Sequence, residues 1–472
     1  MEIDRLENLV RLFQKQIFAP KSEVRHAPIP EQASLFESDQ KPEPIREEEK
    51  IEIPAHSRKK PGRKPLPPDL PRIDIIHDIP EEEKICACGA RLSRIGEEIC
   101  EKLDYVPAVL RVERHIRPKY ACKSCEGVED NGPTVKIALP PAQLIPKSMV
   151  TPGLLAHIAT AKFADGLPLY RQQKIFARHG VDLPRATLGN WLIKAAHRCQ
   201  PVLELLEERI RSGPLINADE SPLQVLNEPG RKNTTKSYMW VFRGGPLDSP
   251  AVLYQYRPTR SGQAALGLLD GYRGYVQSDA YNGYNYLSEN FEIKRLGCMA
   301  HVRRKFMDVD KTRKKKRGGE NRARGLANEA LDFIGELYKI EKMARREKLD
   351  FDQIRNLRKE KSRPILDRFE VWLQAHESSA PPKSLLGNAI KYALNQWKYL
   401  DVYLEQGFLK PDNNAAENAI RPFVVGRKNW LFAGSPKGAE ESASFFTLIE
   451  TAKANGLEPY AFLRDMFKVS VK

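Results

Sequence analysis

The order of strand-like and helix-like segments between residues 213 and 306 constrains this chain more than any other feature. PLINADESPLQVL is rich in β-forming residues, and KSYMWVFRGG and AVLYQYRPTR alternate polar and apolar positions. SGQAALGLLD has the composition of a short helix capped by Ser261. YRGYVQSDAY reads as a fourth strand with Asp279 at its C-terminal end, and IKRLGCMAHVRRKF reads as a strand passing into a helix. Three strands before the first helix imply a mixed sheet that opens with an antiparallel meander, whereas a doubly wound parallel sheet would alternate strand and helix from the outset. That order is the signature of a ribonuclease H-like sheet. The expected fold class is α+β and multidomain: a ribonuclease H-like core with a helical insertion, preceded by a small cysteine-bearing unit and a helical region.

The rest of the 472 residues divides around this core. Residues 1–26 hold a helix with apolar positions at Ile3, Leu6, Leu9, Val10, Leu12, Phe13 and Ile17, either a pairing helix or one packed on its own domain. Residues 27–80 carry eleven prolines and form a basic, extended linker. Residues 81–147 hold the clustered cysteines. Residues 148–212 read as helices over 151–164, 168–179 and 186–211, with Gly180 ending one and Pro184 opening the next. The core spans 213–307 and resumes at 411–472, where helices are expected near 439–455 and 458–468. Between its two parts lies a charged helical insertion at 308–410, which begins with the basic run KTRKKKR.

Charge and cysteine usage narrow the functional class. Seventy-seven Lys and Arg against 62 Asp and Glu leave a net charge of +15, which favours a polyanionic partner, nucleic acid before membrane. No run of 18 apolar residues is present, so no transmembrane helix is expected, and the charged N-terminus does not read as a signal peptide. The seven cysteines are odd in number, which argues against a disulfide framework. Cys86 and Cys88, with Cys122 and Cys125, form two close pairs suited to one structural Zn2+, with Cys100 and His115 as competing ligands. Cys298 reads as small core filler.

Three carboxylates occupy positions from which they can meet at one sheet edge: Asp219 on the first strand, Asp279 after the fourth, and Glu417 on the helix that follows the insertion. Taken singly, each has a plainer role as a turn, cap or first-turn helix residue. Together they suit two Mg2+ or Mn2+ ions and in-line displacement at phosphorus. Candidate DNA contacts surround them. Arg63 and Lys64, within PGRKP, suit a narrow minor groove or simply solubilise the linker. Arg185, Thr187 and Asn190 would face the major groove if residues 168–211 form a helix-turn-helix, with Trp191 in the core; any three-helix bundle gives a similar pattern. His301 and Arg304 could hold the scissile phosphate or the flanking strand, with a packing role as the plainer reading of His301, and Arg421, one turn after Glu417, could reach phosphate. Arg427, Lys428 and Trp430, read as loop or strand, could contact backbone and stack on an unpaired base.

The segments ADESPLQVL, SDAYNGYNYL, GCMAHVRRKF and PDNNAAENAIRPFVVGRKNWLFAG resemble the transposases of the insertion sequence 66 family, and the cysteine unit with EKLDYVPAVLRVERHIRPKYAC resembles that family's zinc-finger segment. The resemblance runs from about residue 60 to the end. It implies a DDE-type transposase with Asp219, Asp279 and Glu417 as catalytic triad, acting on double-stranded DNA. Water activated by the metals would cut at the terminal inverted repeats, and the freed 3′-OH would join target DNA. It also implies a homodimer or larger synaptic complex, small accessory proteins of the same element, and a bacterial, cytoplasmic setting on the nucleoid. The N-terminal pairing helix is shorter than the family's usual one. Two other functions fit the residues: a ribonuclease H-like nuclease that cuts without joining, and a non-catalytic zinc-containing DNA-binding regulator.

Overall fold

A computed structural model describes residues 110–121, 135–261, 267–281, 283–284, 292–312 and 325–469. The N-terminal helix, the linker with Arg63 and Lys64, all four paired cysteines (Cys86, Cys88, Cys122 and Cys125) and Cys100 lie outside the described residues, as do 313–317 of the basic run.

A short antiparallel hairpin comes first. Strand β1 (Lys119–Ala121) pairs with β2 (Val135–Ile137) and ends one residue before Cys122. Four helices follow: α1 (Pro152–Phe163), α2 (Leu169–Arg178), α3 (Arg185–Arg198) and α4 (Gln200–Arg211). Gly180, at φ +77°, takes the left-handed turn after α2, and Pro184 precedes the first residue of α3. The single helix expected over 186–211 is instead two. Pro201 lacks the N–H that would bond back along α3, and its ring would strike the preceding turn. It sits in the first turn of α4, where neither defect matters.

The sheet has five strands in the order β5-β4-β3-β6-β7. Strand β3 (Leu215–Gln224) lies at its centre, β4 (Lys236–Gly244) and β5 (Ala251–Arg257) continue it antiparallel, and β6 (Gly274–Gln277) and β7 (Ile293–Leu296) run parallel on its other side. The opening meander and mixed sheet match the expectation from sequence. Side chains alternate between the two faces. Ile216, Ala218, Trp240, Phe242, Leu253 and Val276 pack on one face with Leu268, Tyr272 and Tyr284. Leu223, Met239, Val241, Val252 and Tyr254 pack on the other against α1, α3, α10 (Asn414–Trp430) and α11 (Pro436–Ala454), with α12 (Pro459–Val469) beyond. The outer edge of β5 is covered by side chains rather than a sixth strand. Thr447 and Thr451, one turn apart on α11, accept from the backbone N–H groups of Tyr254 and Val252, and Thr451 also donates to the Val252 carbonyl.

Between β7 and α10 the chain makes a helical excursion through α5 (Met299–Thr312), α6 (Leu326–Arg346), α7 (Phe351–Leu357), α8 (Arg363–Glu377) and α9 (Leu385–Leu400). Its apolar core includes Phe306, Ile334, Phe369 and Ile390. Arg358 anchors this unit from a π-helical turn at Arg358–Ser362. The side chain is 2% exposed, and every one of its N–H donors is used. Nε and an Nη bond the two oxygens of Glu341 at 2.8 Å each, and the remaining donors reach the carbonyls of Tyr403, Gln406 and Leu409. Removing one member of such a buried pair strands the other. Arg358→Met is therefore expected to lower unfolding free energy by about 3–5 kcal/mol. Urea unfolding followed by the fluorescence of Trp372 and Trp397 checks this, and a loss below about 1 kcal/mol, no more than an exposed pair contributes, contradicts it.

Candidate active site

Strand register places Asp219 and Asp279 toward the same end of neighbouring parallel strands. In the parallel pair β3 and β6, Asn217 sits opposite Gln277. Asp219 is two residues beyond Asn217, and Asp279 is two beyond Gln277, so both carboxylates follow amides that share one face of the sheet. Asn217 donates to the Gln277 side-chain oxygen at 2.9 Å and to the Asn413 side-chain oxygen at 3.1 Å. Asn413 in turn donates to the Ala218 carbonyl at 2.8 Å. Gln277 donates to the Gly297 and Lys410 carbonyls. This buried amide network fixes the residue just before α10 against the centre of the sheet, and Glu417 projects from the first turn of that helix. Sequence reasoning missed Asn217, Gln277 and Asn413. The signal available was an amide two residues ahead of each aspartate.

The Asp219 carboxyl registers all its acidic neighbours. Burial raises it first, the charges of Glu220, Asp279 and Glu417 raise it further, and the backbone N–H of Glu220 opposes them; the result lies at about 7. Asp279 is held by the backbone N–H of Tyr281, and its carbonyl accepts from Arg295. Glu417 binds Arg304 through Oε2 at 3.3 Å, while its buried Oε1 has no hydrogen-bond donor and lies 3.7 Å from His301 Nδ1. Asp219 thus feels the charges of Asp279 and Glu417, while among the described residues the ligand atoms that lie within 4.8 Å of one another are those of Cys298, His301 and Glu417.

Glu220, the next residue after Asp219, points to the other face. Its side chain is 2% exposed and ion-pairs with Arg260 at 2.5 Å, and it accepts from Tyr284. The Arg260 guanidinium lies 3.7 Å from the centre of the Tyr281 ring and 4.0 Å from an Asp279 oxygen. Neither Arg260 nor its pairing with Glu220 was visible in the sequence, because the two are remote along the chain.

The other candidates divide. His301 and Arg304, on α5, meet Glu417 directly. Burial holds the His301 imidazole below its ordinary range, with the charge of Glu417 opposing. Cys298 is buried, as core filler would be, and burial pushes its thiol up to about 11. Its sulfur nevertheless accepts from the Asn413 backbone N–H. Arg427, Lys428 and Trp430 are helical, not loop or strand. Helix α10 continues through Pro422 because Ala416, Ala419, Ile420, Phe423 and Gly426 make one buried face. Arg421 and Lys428 are exposed, Arg427 donates to Ser221, and the Trp430 ring packs edge-on against Phe423. Arg185 and Asn190 are exposed on α3 and Thr187 is half-buried, while Trp191 is in the core.

Residues 147–441 match the family model described as "Transposase IS66 family". The chain belongs to the IS66 transposase family. Three further models of the family match in order along this transposase: "Transposase C of IS166 homeodomain" at residues 5–75, "zinc-finger binding domain of transposase IS66" at 83–126 and "IS66 C-terminal element" at 447–469. Similar proteins from Sinorhizobium fredii (strain NBRC 101917 / NGR234) include the uncharacterized protein y4jD, 37% identical over 415 residues, covering 85% of this chain and 77% of the relative. Another is the uncharacterized protein y4qI, 35% identical over 422 residues, covering 86% and 74%. The homeodomain and zinc-finger segments make DNA a partner of this IS66 transposase. Among its described residues no helix is long and apolar enough to cross a membrane.

Two outcomes follow from the geometry. Asn413→Ala leaves the Ala218 carbonyl and the Asn217 amide short of a partner and is expected to cost about 1–3 kcal/mol, measured by urea unfolding. Asp219 ionises in the unfolded chain near its ordinary value of 3.8 and in the fold at about 7. Its contribution to stability is therefore fully present below pH 4 and is lost as pH rises through 7. In metal-free buffer Asp219→Asn should melt above the parent at pH 8, with the gap closing toward pH 4; an equal gap at both would refute the raised value.

Proposed function

We propose that this IS66-family transposase cleaves DNA at the terminal inverted repeats of its element and joins the resulting 3′ ends to target DNA by DDE-type phosphoryl transfer, with Asp219, Asp279 and Glu417 as the catalytic carboxylates. The observation that carries the proposal is the match of residues 147–441 to the IS66 transposase family, within which Asp219 lies on the central strand, Asp279 two residues beyond the end of its parallel neighbour and Glu417 in the first turn of α10. The strand order β5-β4-β3-β6-β7, with a helical insertion before the third carboxylate, supports a ribonuclease H-like core.

The three carboxylates would hold two Mg2+ or Mn2+ ions. When bound, such ions activate an attacking oxygen and stabilise the leaving one. The chain's own groups supply binding and position. The amide network of Asn217, Gln277 and Asn413 sets the spacing of the carboxylates. Arg304 turns Glu417, and Arg260 stands beside Asp279; both are partly exposed and placed to take phosphate oxygens once DNA enters. Arg421 and Lys428 offer further cations along α10, and Arg185, Thr187 and Asn190 would read or hold duplex DNA from α3. Trp430, packed on Phe423, serves the core of α10 better than it serves base stacking. One zinc ion in the Cys86, Cys88, Cys122 and Cys125 segment would give that segment its fold. Two element ends must meet, so the active form is a homodimer or larger synaptic complex, joined in the cell by accessory proteins of the element.

Labelled element-end DNA incubated with protein, Mg2+ and a target plasmid tests the reading. Asp219→Asn, Asp279→Asn and Glu417→Gln are each expected to lower cleavage and joining at least a thousandfold while end binding in a gel shift stays within about threefold. Full activity in any of the three, or cut ends without joined product from the parent, overturns it.

A further inference from the structure

Beside the carboxylates lies a second donor set of different chemistry. Cys298, which directly precedes α5, His301 in the first turn of α5 and Glu417 each offer one ligand atom, and these atoms all lie within 4.8 Å of one another. The contact between His301 Nδ1 and Glu417 Oε1, at 3.7 Å, is too long for a hydrogen bond. It is close to the edge of about 3.4 Å that a tetrahedral ion some 2.1 Å from each atom would set. Both atoms are buried, and neither has a hydrogen-bond partner. Arg304 holds the other oxygen of Glu417, which leaves Oε1 aimed at the histidine. The Asn413 N–H points at Cys298 Sγ from 3.2 Å, a donor that favours negative charge on the sulfur.

We propose that Cys298, His301 and Glu417 form a binding site for a borderline-soft divalent metal, Zn2+ by preference, with one coordination position open to solvent or DNA. Sulfur, imidazole and carboxylate together select zinc or cobalt over magnesium, which takes oxygen ligands. On binding, the Cys298 thiol gives its proton to solvent and the sulfur becomes the ligand. Three protein ligands leave the metal exchangeable, unlike the four-cysteine segment. Zinc in this position holds Glu417 toward Cys298 and so competes with the hard cations that Asp219 and Asp279 recruit. That competition rests on the reading of Glu417 as a catalytic carboxylate; the site itself does not.

The test is a metal count on the full chain. Parent, Cys298→Ala, His301→Gln and Asp219→Asn proteins are dialysed against micromolar Zn2+, and bound zinc is measured by mass spectrometry. Cys298→Ala and His301→Gln should each hold one equivalent fewer than the parent, and Asp219→Asn the same as the parent. The cysteines at 86–125 contribute equally to all four. His301 is partly exposed, so His301→Gln keeps the test valid if Cys298→Ala fails to fold. Loading with Co2+ adds a spectral readout: thiolate-to-cobalt absorption should be weaker in Cys298→Ala than in the parent. Equal zinc in the parent and His301→Gln, or a lost equivalent in Asp219→Asn, overturns the site. Failure of the catalytic reading would show instead as undiminished DNA cleavage by Asp219→Asn, whatever the zinc count.

Discussion

Three uncharged amides hold the charged centre of this transposase together. Asn217, Gln277 and Asn413 are buried, and their side chains bond one another or nearby backbone carbonyls. Buried amides are stable only when their groups are paired, and that demand for pairing is what makes them specific. A shift of β6 along β3 by one residue would unpair Asn217 and turn Asp279 to the opposite face. The carboxylates repel one another and cannot gather themselves. The neutral groups beneath them supply the order.

Much of the architecture was legible in the sequence because strands and helices announce themselves by period. The meander, the fourth and fifth strands, the insertion and the terminal helices followed from alternation and turn residues. The exceptions have local causes. Pro201 divides a helix whose apolar pattern continues across it. Pro422 leaves its helix intact because the buried stripe from Ala416 to Gly426 outweighs one missing hydrogen bond. Asp219, Asp279 and Glu417 stood out as candidates because a carboxylate within the first strand, one just after the fourth and one in a later helix's first turn are conspicuous. Arg260 with Glu220, and Arg358 with Glu341, were not legible. Each pair is joined only by the tertiary fold, and no spacing rule links its members.

Opposite charges are arranged here in two registers. Arg358 is fully buried and fully bonded, a fixed part of the frame. Arg260 and Arg304 are partly exposed and rest on Glu220 and Glu417. A strongly basic chain that kept all its cations free would attract polyanions everywhere. Pairing those nearest the carboxylates moderates the local field there.

The chain leaves the sheet at Gly297 and returns at Lys410, and one side-chain amide, that of Gln277, bonds the carbonyls of both. Departure and return are thus pinned to a single point at the rim. What lies between is also tied back to the sheet through Glu405, which accepts from Tyr275 and Lys294. Relatives could lengthen or shorten the connections between the outer helices of this appendage while α5, which carries His301 and Arg304 to Glu417, stays in place, much as a bracelet changes while its clasp does not.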